Sequence, residues 1–242
     1  MQCLLLRFEA PMMSFGGISV DARRPTDRAP GASLLAGLLG NALGLEHRDH
    51  ERLQRLQDRL CVGARCDRPG SRLQDYQTVD LGQPHLVGAG WTTQGRVEVR
   101  GGAFSTGTHI RHRDYLADAS YLVALALEPP DEEPGIERLA EALDRPARPL
   151  YLGRKGCIPA TRLLVGVVSA GSLEQALLAS APHTARGQSP GAEVELWLPA
   201  AEATLDGHTA WISDRRDWAN QIHTGRRLQL HKTAQLRGGT GD

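Results

Sequence analysis

The sequence predicts an α+β fold: a ferredoxin-like (RRM-like) domain with a long insertion, followed by a small antiparallel β-rich C-terminal lobe. Three observations lead to this prediction. The first two-thirds of the chain run in the order strand, helix, strand, strand, helix, strand, which is the ferredoxin-like order. A glycine-rich stretch interrupts that order. The last third holds short segments of alternating apolar and polar residues, typical of antiparallel strands.

The first predicted strand is the apolar run Cys3–Phe8. Apolar residues then recur at helical spacing from Leu34 to Leu43, and leucines at 53, 56 and 60 mark a second helical stripe. Glycines on another face of the first helix predict that a neighbouring segment approaches its backbone closely. Two extended segments follow, Val62–Cys66 and Leu73–Val79, separated by an Arg-Pro-Gly turn.

The stretch from Asp80 to His112 has many glycines and little apolar periodicity. A structureless loop of this length is uncommon inside a compact domain, and is usually either functional or disordered. Trp91 and Phe104 are large apolar groups that a solvated loop does not need. We therefore expect this insertion, at about residues 80–112, to contact a partner.

The apolar run Tyr121–Leu127 predicts a strand buried on both faces, and Ile136–Leu143 has the spacing of a short helix. Leu150–Leu152 is expected to supply the last strand of a domain at residues 1–152. The remaining residues, 153–242, are predicted to form the β-rich lobe. Its expected elements are a strand at Leu163–Val168, a helix capped by Ser172, and strands near Val194–Leu198, Thr209–Ile212 and Leu228–Leu230.

Composition restricts the class of protein. The formal net charge is zero, which argues against a free, non-specific nucleic-acid binder but permits a local basic groove. The cysteines form no CxxC pair and no Cys/His set at zinc-finger spacing, which indicates a reducing compartment. No N-terminal signal and no apolar run near the roughly 20 residues of a membrane span is found. We expect a soluble, cytoplasmic protein that makes no membrane contact.

A loop before the first predicted helix is rich in arginine. It places Arg23, Arg24 and Arg28 among prolines, directly ahead of the leucine-rich helix. Free N–H groups and the positive end of the helix dipole favour an anion at such a helix start, and the three arginines are expected to converge there. The loop is predicted to bind a phosphorylated ligand, with a merely solvated loop as the alternative.

Two further basic groups extend this pattern. Arg111 and Arg113 stand two apart on an extended segment, so both side chains leave from the same side and can straddle adjacent phosphates. A charged strand edge with nearby aspartates as ion partners is the alternative. Glycines flank Arg154 and Lys155 and expose backbone N–H groups beside them. Three basic loops on a ferredoxin-like scaffold favour single-stranded RNA as the ligand.

Enzyme motifs are absent from the sequence. It contains no P-loop, GxGxxG, HExxH, GxSxG or EF-hand pattern, so an ordinary metabolic enzyme is disfavoured. His109 and His112 are the most metal-like pair, but no cluster of carboxylates or cysteines accompanies them. We predict no metal and no cofactor. A small-molecule hydrolase that uses this histidine pair stays open as a further function class.

A series of motifs resembles a known family. In chain order, over roughly residues 3 to 160, they are LLLRFEAPMMSFG, RRPTDRAP, SLLAGLLGNALGL, LQDYQTV, RDYLADASYLVAL and LYLGRKGCIP. In these motifs the chain resembles the CRISPR-associated Cas5 family of the RAMP superfamily, in particular its members from the type I-E Cascade complex. The C-terminal third resembles the family only loosely.

The resemblance implies a ferredoxin-like domain with an inserted thumb hairpin, here at about residues 80–112, which caps the 5′ handle of the CRISPR RNA (crRNA). It also implies contacts with the CasC backbone subunit and the CasA large subunit, and with target DNA only indirectly through the complex. The implied RNA-binding residues are Arg23, Arg24, Arg28, Ser33, Tyr76, Gln77, Arg111, Arg113, Arg154 and Lys155. The expected partner contacts on the thumb are Trp91, Arg96, Arg100, Phe104 and His109.

The resulting hypothesis is a non-catalytic RNA-binding and assembly subunit of an antiviral CRISPR complex. The alternative is a metal-independent endoribonuclease that processes CRISPR precursor RNA, because a sister branch that resembles this fold cuts such RNA. Cleavage needs a base for the 2′-hydroxyl and a cation for the phosphate. Tyr115, His112 and Lys155 are the candidates for these roles.

Overall fold

The structure is a computed structural model that describes residues 1–17, 19, 22–84, 90–91, 97–98, 107–183, 193–200 and 206–236. At 90–91 and 97–98 it describes the backbone alone. Arg96, Arg100 and Phe104 of the predicted thumb lie outside these residues, as does the side chain of Trp91. Their partner contacts therefore stay predictions.

The described residues form an α+β fold, as predicted. The strands in chain order are β1 (Gln2–Glu9), β2 (Met12–Met13), β3 (Arg23–Arg24), β4 (Leu60–Arg68), β5 (Ser71–Asp80), β6 (Gly90–Trp91), β7 (Val97–Glu98), β8 (Thr108–Ala117), β9 (Ser120–Leu127), β10 (Leu164–Ser169), β11 (Glu193–Pro199), β12 (His208–Asp217) and β13 (Ile222–Gln235). Most of them lie where the apolar patterns predicted extended segments.

The helices of the described residues are α1 (Ala32–Ala42), α2 (His50–Arg59), α3 (Ile136–Asp144) and α4 (Leu173–Ala179). The predicted cap of α4 is confirmed, because the Ser172 hydroxyl accepts the backbone N–H of Gln175 at 3.1 Å. Within the described ranges, no helix has the length and apolar character needed to cross a bilayer.

The main sheet has seven strands in the order β10-β1-β9-β4-β11-β13-β12. Each neighbouring pair is antiparallel. Because β10 lies beside β1 and β11 lies beside β4, strands from the last third of the chain extend both sides of a sheet built from the first two-thirds. One hydrogen-bonded sheet therefore crosses the division that the sequence predicts after residue 152.

The predicted strand at Leu150–Leu152 is wrong. Residues 150–152 are not in a strand, and the place beside β1 belongs to β10. The backbone N–H of Leu152 donates to the carbonyl of Cys157 at 2.8 Å, and its carbonyl accepts from Ser14 at 3.1 Å. These bonds close a tight turn at residues 153–156, so Leu152 cannot also enter the sheet.

Apolar side chains pack on both faces of the main sheet. One core contains α1, α2 and α3 residues together with Val123 and Leu125 of β9, and the other contains α4 residues together with Leu122 and Ala124. The prediction that this strand is buried on both faces is confirmed. The close approach expected at the glycines of α1 is also found, since a Cβ on Gly40 would lie 2.4 Å from Leu53.

A second, smaller sheet consists of β2, β3, β5 and β8. Strand β8 pairs with β5 in antiparallel register from Ser71 opposite Ala117 to Asp80 opposite Thr108. Beyond this ribbon, β6 and β7 also pair antiparallel with each other. The opposite edge of β8 pairs with the short strands β2 and β3. The small sheet thus brings the arginine loop against the segment that carries Arg111 and Arg113.

Candidate nucleic-acid interface

Strand β3 places the first two arginines of the loop on opposite faces of the small sheet. It runs parallel to β8, with Arg23 opposite His112 and Arg24 opposite Arg113. Neighbouring side chains on a strand point to opposite faces. Arg23 therefore shares a face with His112, and Arg24 shares the other face with Arg113.

The face that carries Arg23 also presents an exposed aromatic ring. Tyr76, opposite His112 in the register, is 58% exposed, and its ring centroid lies 5.4 Å from that of His112. The side chain of Arg23 is 68% exposed and makes one long ion pair, 3.6 Å, with Asp114. An exposed ring beside an exposed cation is suited to stacking one base and contacting its phosphate.

The opposite face carries Arg111 and Arg113, which share it because they are two residues apart on β8. Gln77 lies opposite Arg111 in the register and donates a hydrogen bond to the carboxylate of Asp75. The guanidinium of Arg111 lies 3.1 Å from its neighbour's carbonyl and 3.4 Å from Nδ1 of His109.

The basic turn at residues 153–156 is attached to this second face by Arg154. Its guanidinium donates to the carbonyls of Asp114 and Arg24, both at 3.0 Å, and lies 4.6 Å from the centroid of the Tyr115 ring. Lys155 is exposed beside it. Gly153 has a φ of +103°, and a Cβ at this position would lie 1.7 Å from the carbonyl oxygen of Ser14. Only glycine fits this turn.

An open cleft of about 1460 Å³ lies between the basic turn and the C-terminal hairpin formed by β12 and β13, with α1 as its floor. Four of the ten predicted RNA-binding residues line it, namely Arg24, Ser33, Arg154 and Lys155. Three further cations that the sequence did not single out also line it, namely Arg48, Arg148 and Arg216. They are isolated in the sequence, and only the fold brings them together.

The cleft is locally basic although the chain as a whole has no net charge. Its carboxylates are Asp27, Glu46 and Asp214. Glu46 pairs with Arg48 at 3.0 Å, and Asp214 pairs with Arg227 at 2.8 Å. Partial desolvation, reinforced by the charge of Asp214, raises the pKa of Asp27 to about 6. Asp27 is still mostly ionised at neutral pH, but six arginine and lysine side chains line the cleft against these three carboxylates, so the charge of its lining is positive.

The prediction that the start of α1 binds a phosphate is wrong for the first backbone amide of the helix. The backbone N–H of Ala32 donates to the carboxylate of Asp214 at 2.9 Å. A Cβ on Gly31, the N-cap residue, would lie 2.8 Å from the Cβ of the same aspartate. The helix start is thus occupied by an anion from the chain itself, and no local feature of the sequence indicates this.

The predicted convergence of the three loop arginines is also wrong. Arg23 and Arg24 point to opposite faces of the small sheet. Arg28 forms two hydrogen bonds, 2.7 and 2.9 Å, to the carboxylate of Glu195, and its guanidinium lies 5.9 Å from the centroid of the Trp197 ring. Arg24 lines the cleft, whereas Arg23 and Arg28 do not.

The residues proposed for catalysis do not form one cluster. His112 and Tyr115 are three apart on β8 and so point to opposite faces, and Tyr115 is buried beneath Arg154. His109 and His112 are also three apart on β8, so their side chains likewise point to opposite faces. In the part of the chain that the structure describes, no group of three or more His, Cys, Asp or Glu side chains is placed to hold a metal ion.

The fold is that of CRISPR-associated proteins of known structure. A chain described as "CRISPR RNA-guided surveillance complex" is similar to this one with a TM-score of 0.66 and 26% identity, covering 97% of this chain and 90% of that one. Another, described as "Crystal structure of Cas protein", has a TM-score of 0.59 and 24% identity, covering 97% and 94%.

Sequence comparison identifies the family. Residues 3–228 match the family model described as CRISPR-associated protein (Cas_Cas5). Over 183 residues the chain is 35% identical to CRISPR system Cascade subunit CasD of Escherichia coli (strain K12), covering 72% of this chain and 75% of that protein. The chain belongs to the CRISPR-associated Cas5 family.

Proposed function

We propose that this protein is the crRNA-binding subunit of a type I-E CRISPR Cascade complex and that it holds the 5′ handle of the guide. The observation that carries the proposal is the basic cleft, where Arg24, Arg154 and Lys155 lie together. A relative with 35% identity, CasD, is a Cascade subunit. Single-stranded RNA binds to grooves that combine cations for the phosphates with flat or apolar surfaces for the bases.

The RNA is proposed to leave the cleft along the small sheet. Arg113 and Arg111 continue the line of cations from Arg24 on one face of β8, with Gln77 beside them. Tyr76 and Arg23 supply a stacking surface on the other face. Arg28, which is bound to Glu195, is the proposed contact that the geometry supports least.

The ferredoxin-like unit is proposed to consist of β1, β4, β9 and β10 with helices α1 to α3, since these strands lie in the order β10-β1-β9-β4. The ribbon of β5 and β8 is proposed as the base of the thumb. The β-rich lobe then begins after β10. CasC and CasA are the proposed protein partners, target DNA is reached only through the complex, and the proposed location is the cytoplasm.

The protein is proposed to act by binding RNA and not by cutting it. Cleavage of RNA needs a base and a cation at one phosphate. The candidates His112 and Tyr115 point to opposite faces of one strand, which does not favour the endoribonuclease alternative.

Co-expression with the other Cascade proteins and a guide tests the proposal. The variant Arg24→Glu/Lys155→Glu reverses two charges in the cleft and is expected to lower the RNA that co-purifies with the complex about tenfold or more. Arg145→Glu/Arg226→Glu makes the same charge change at two exposed positions outside the cleft and serves as the control. Equal RNA content in both variants would contradict the proposal.

A second assay separates binding from cleavage. The purified chain is incubated with labelled repeat RNA in the presence of a chelator, and the products are resolved on a denaturing gel. Intact RNA is the expected result. Sustained cutting at one position would favour the endoribonuclease.

A further inference from the structure

We propose that the C-terminal hairpin of β12 and β13 is the second wall of the RNA site, in which Arg216 binds a backbone phosphate and His223, with Ser33, contacts the same strand. This inference rests on the proposed function, because it assigns further residues to the same cleft. Neither hairpin residue is distinctive in the sequence.

The register of the hairpin directs both residues into the cleft. Arg216 of β12 lies opposite His223 of β13, so the two side chains share a face. Both line the same cleft as Arg24, Arg154 and Lys155. His223 Nε2 lies 3.2 Å from the hydroxyl of Ser33, which joins the hairpin to the floor of the cleft.

The guanidinium of Arg216 is held in position but has no counter-ion among the described residues. Its guanidinium donates to the backbone carbonyl and side-chain oxygen of Gln221, at 3.1 and 2.7 Å, and lies 5.3 Å from the centroid of the Trp218 ring. Its Nε is buried and has no hydrogen-bond partner among the described residues. No ion pair within the described ranges includes it. Burial also lowers the pKa of this guanidinium, because its charge is partly desolvated.

A desolvated cation with no anion beside it is unfavourable unless a ligand supplies the negative charge. The groups that contact the Arg216 guanidinium, the oxygens of Gln221 and the ring of Trp218, are neutral and fix its orientation. Arginine in a fixed orientation is suited to bidentate contact with a phosphate. The geometry therefore favours an anion at this wall of the cleft.

His223 adds a hydrogen-bonding group and not a second fixed charge. Partial desolvation and the charge of the adjacent Arg216 lower the pKa of His223, which favours the neutral imidazole. A neutral imidazole donates through one nitrogen and accepts through the other. This suits it to a ribose hydroxyl or a base edge of a strand whose phosphate is held by Arg216.

The floor between the two walls is partly apolar. Leu34, Leu38 and Tyr151 line it, and Leu34 and Tyr151 are half-buried. A groove with cations on both rims and an apolar floor matches a single strand that lays its bases on the floor and its phosphates toward the rims. The hairpin thus completes a channel that the loop arginines alone would leave open on one side.

The test uses the full chain and a fluorescein-labelled 12-nucleotide oligouridine RNA, with affinity measured over a series of salt concentrations. Arg216→Gln is expected to weaken binding about tenfold at low salt and to reduce the slope of log K against log[salt] by about 0.7, the value for one phosphate contact on a single strand. Lys155→Gln should have a similar effect from the other wall.

Arg226→Gln is the matched control. It removes one arginine from the same hairpin, but Arg226 lies on the opposite face of β13, 5.0 Å from the centroid of the Trp211 ring. The RNA affinity of this variant should stay within about twofold of wild type. If Lys155→Gln weakens binding while Arg216→Gln leaves affinity and slope unchanged, the hairpin is not a wall of the site and the proposed function survives. If the wild-type chain binds no RNA, both proposals fail.

A second measurement needs no variant. Oligouridine that contains 4-thiouridine is irradiated with the wild-type chain, and crosslinked tryptic peptides are identified by mass spectrometry. A crosslink in the peptide 217–226, which contains His223, supports the assignment. Crosslinks confined to other lining segments of the cleft would overturn it, even if Arg216→Gln failed to fold.

Discussion

The carboxylate of Asp214 accepts the backbone N–H of Ala32 at 2.9 Å, although 182 residues separate the two in sequence. Arg227 donates three hydrogen bonds to the same carboxylate, at 2.8 to 3.1 Å. The C-terminal hairpin is thereby bonded to the first turn of the helix that forms the floor of the cleft. The last third of the chain is part of the candidate site and not an appendage to it.

Asp214→Asn is expected to lower the free energy of unfolding by about 2 kcal/mol. The change removes a negative charge at a helix start and leaves Arg227, whose side chain is only 14% exposed, without its ion partner. Urea denaturation measures the effect. Asp206→Asn, at an exposed position just before β12, is the control and should change stability by less than about 0.5 kcal/mol. Equal losses of stability in both variants would show that the contacts of Asp214 do not stabilise the fold.

Gly153→Ala should destabilise the chain by roughly 2 kcal/mol or more, because the backbone conformation is left-handed and the added methyl would collide with the carbonyl of Ser14. RNA binding should weaken as well, since the turn positions Arg154 and Lys155. Thermal unfolding and the oligouridine assay measure the two effects. Gly156→Ala, in the same turn, meets no atom within 4 Å and should behave like wild type. A stable Gly153→Ala protein would contradict the close approach of Ser14.

Asp27→Asn should stabilise the chain at neutral pH but not in acid. The pKa of Asp27 is raised from its ordinary value of 3.8 to about 6, so the folded state holds the proton more tightly than the unfolded state. Ionisation therefore costs stability, and the cost is complete above about pH 6 and absent below 3.8. The gain in stability of the variant over wild type should therefore increase between pH 3.8 and about pH 6. Urea denaturation at pH 3.5, 5 and 7.5 measures it, with the lowest pH as the internal control. An equal gain in stability at all three pH values would exclude this explanation.

Elements with a strong local pattern could be predicted from the sequence. The leucine spacing of α1, the continuous apolar run of β9 and the serine cap of α4 each depend on residues close together in the chain. Local propensity and solvent exclusion determine such segments. The short run Leu150–Leu152 has the same apolar character, but its backbone bonds go to Ser14 and Cys157. Three residues are too few for a pattern to distinguish a strand from the base of a turn.

The candidate site could be predicted only in part, since its completion depends on contacts distant in sequence. Arg24, Arg154 and Lys155 stand out in basic loops and do line the cleft. Arg216 is one basic residue among several in an ordinary strand. The pairing of Arg28 with Glu195, like that of Ala32 with Asp214, requires the strands of the last third to be in place. Such pairings produce no periodic pattern in the sequence.

The balance of charge over the whole chain affects how strongly the protein attracts nucleic acid from a distance. Equal numbers of acidic and basic side chains give the molecule almost no attraction for nucleic acid at long range. At physiological ionic strength, any remaining potential decays over about 8 Å. RNA that passes the outer surface is therefore only weakly attracted. The field of the cleft acts only on a strand that comes close to it.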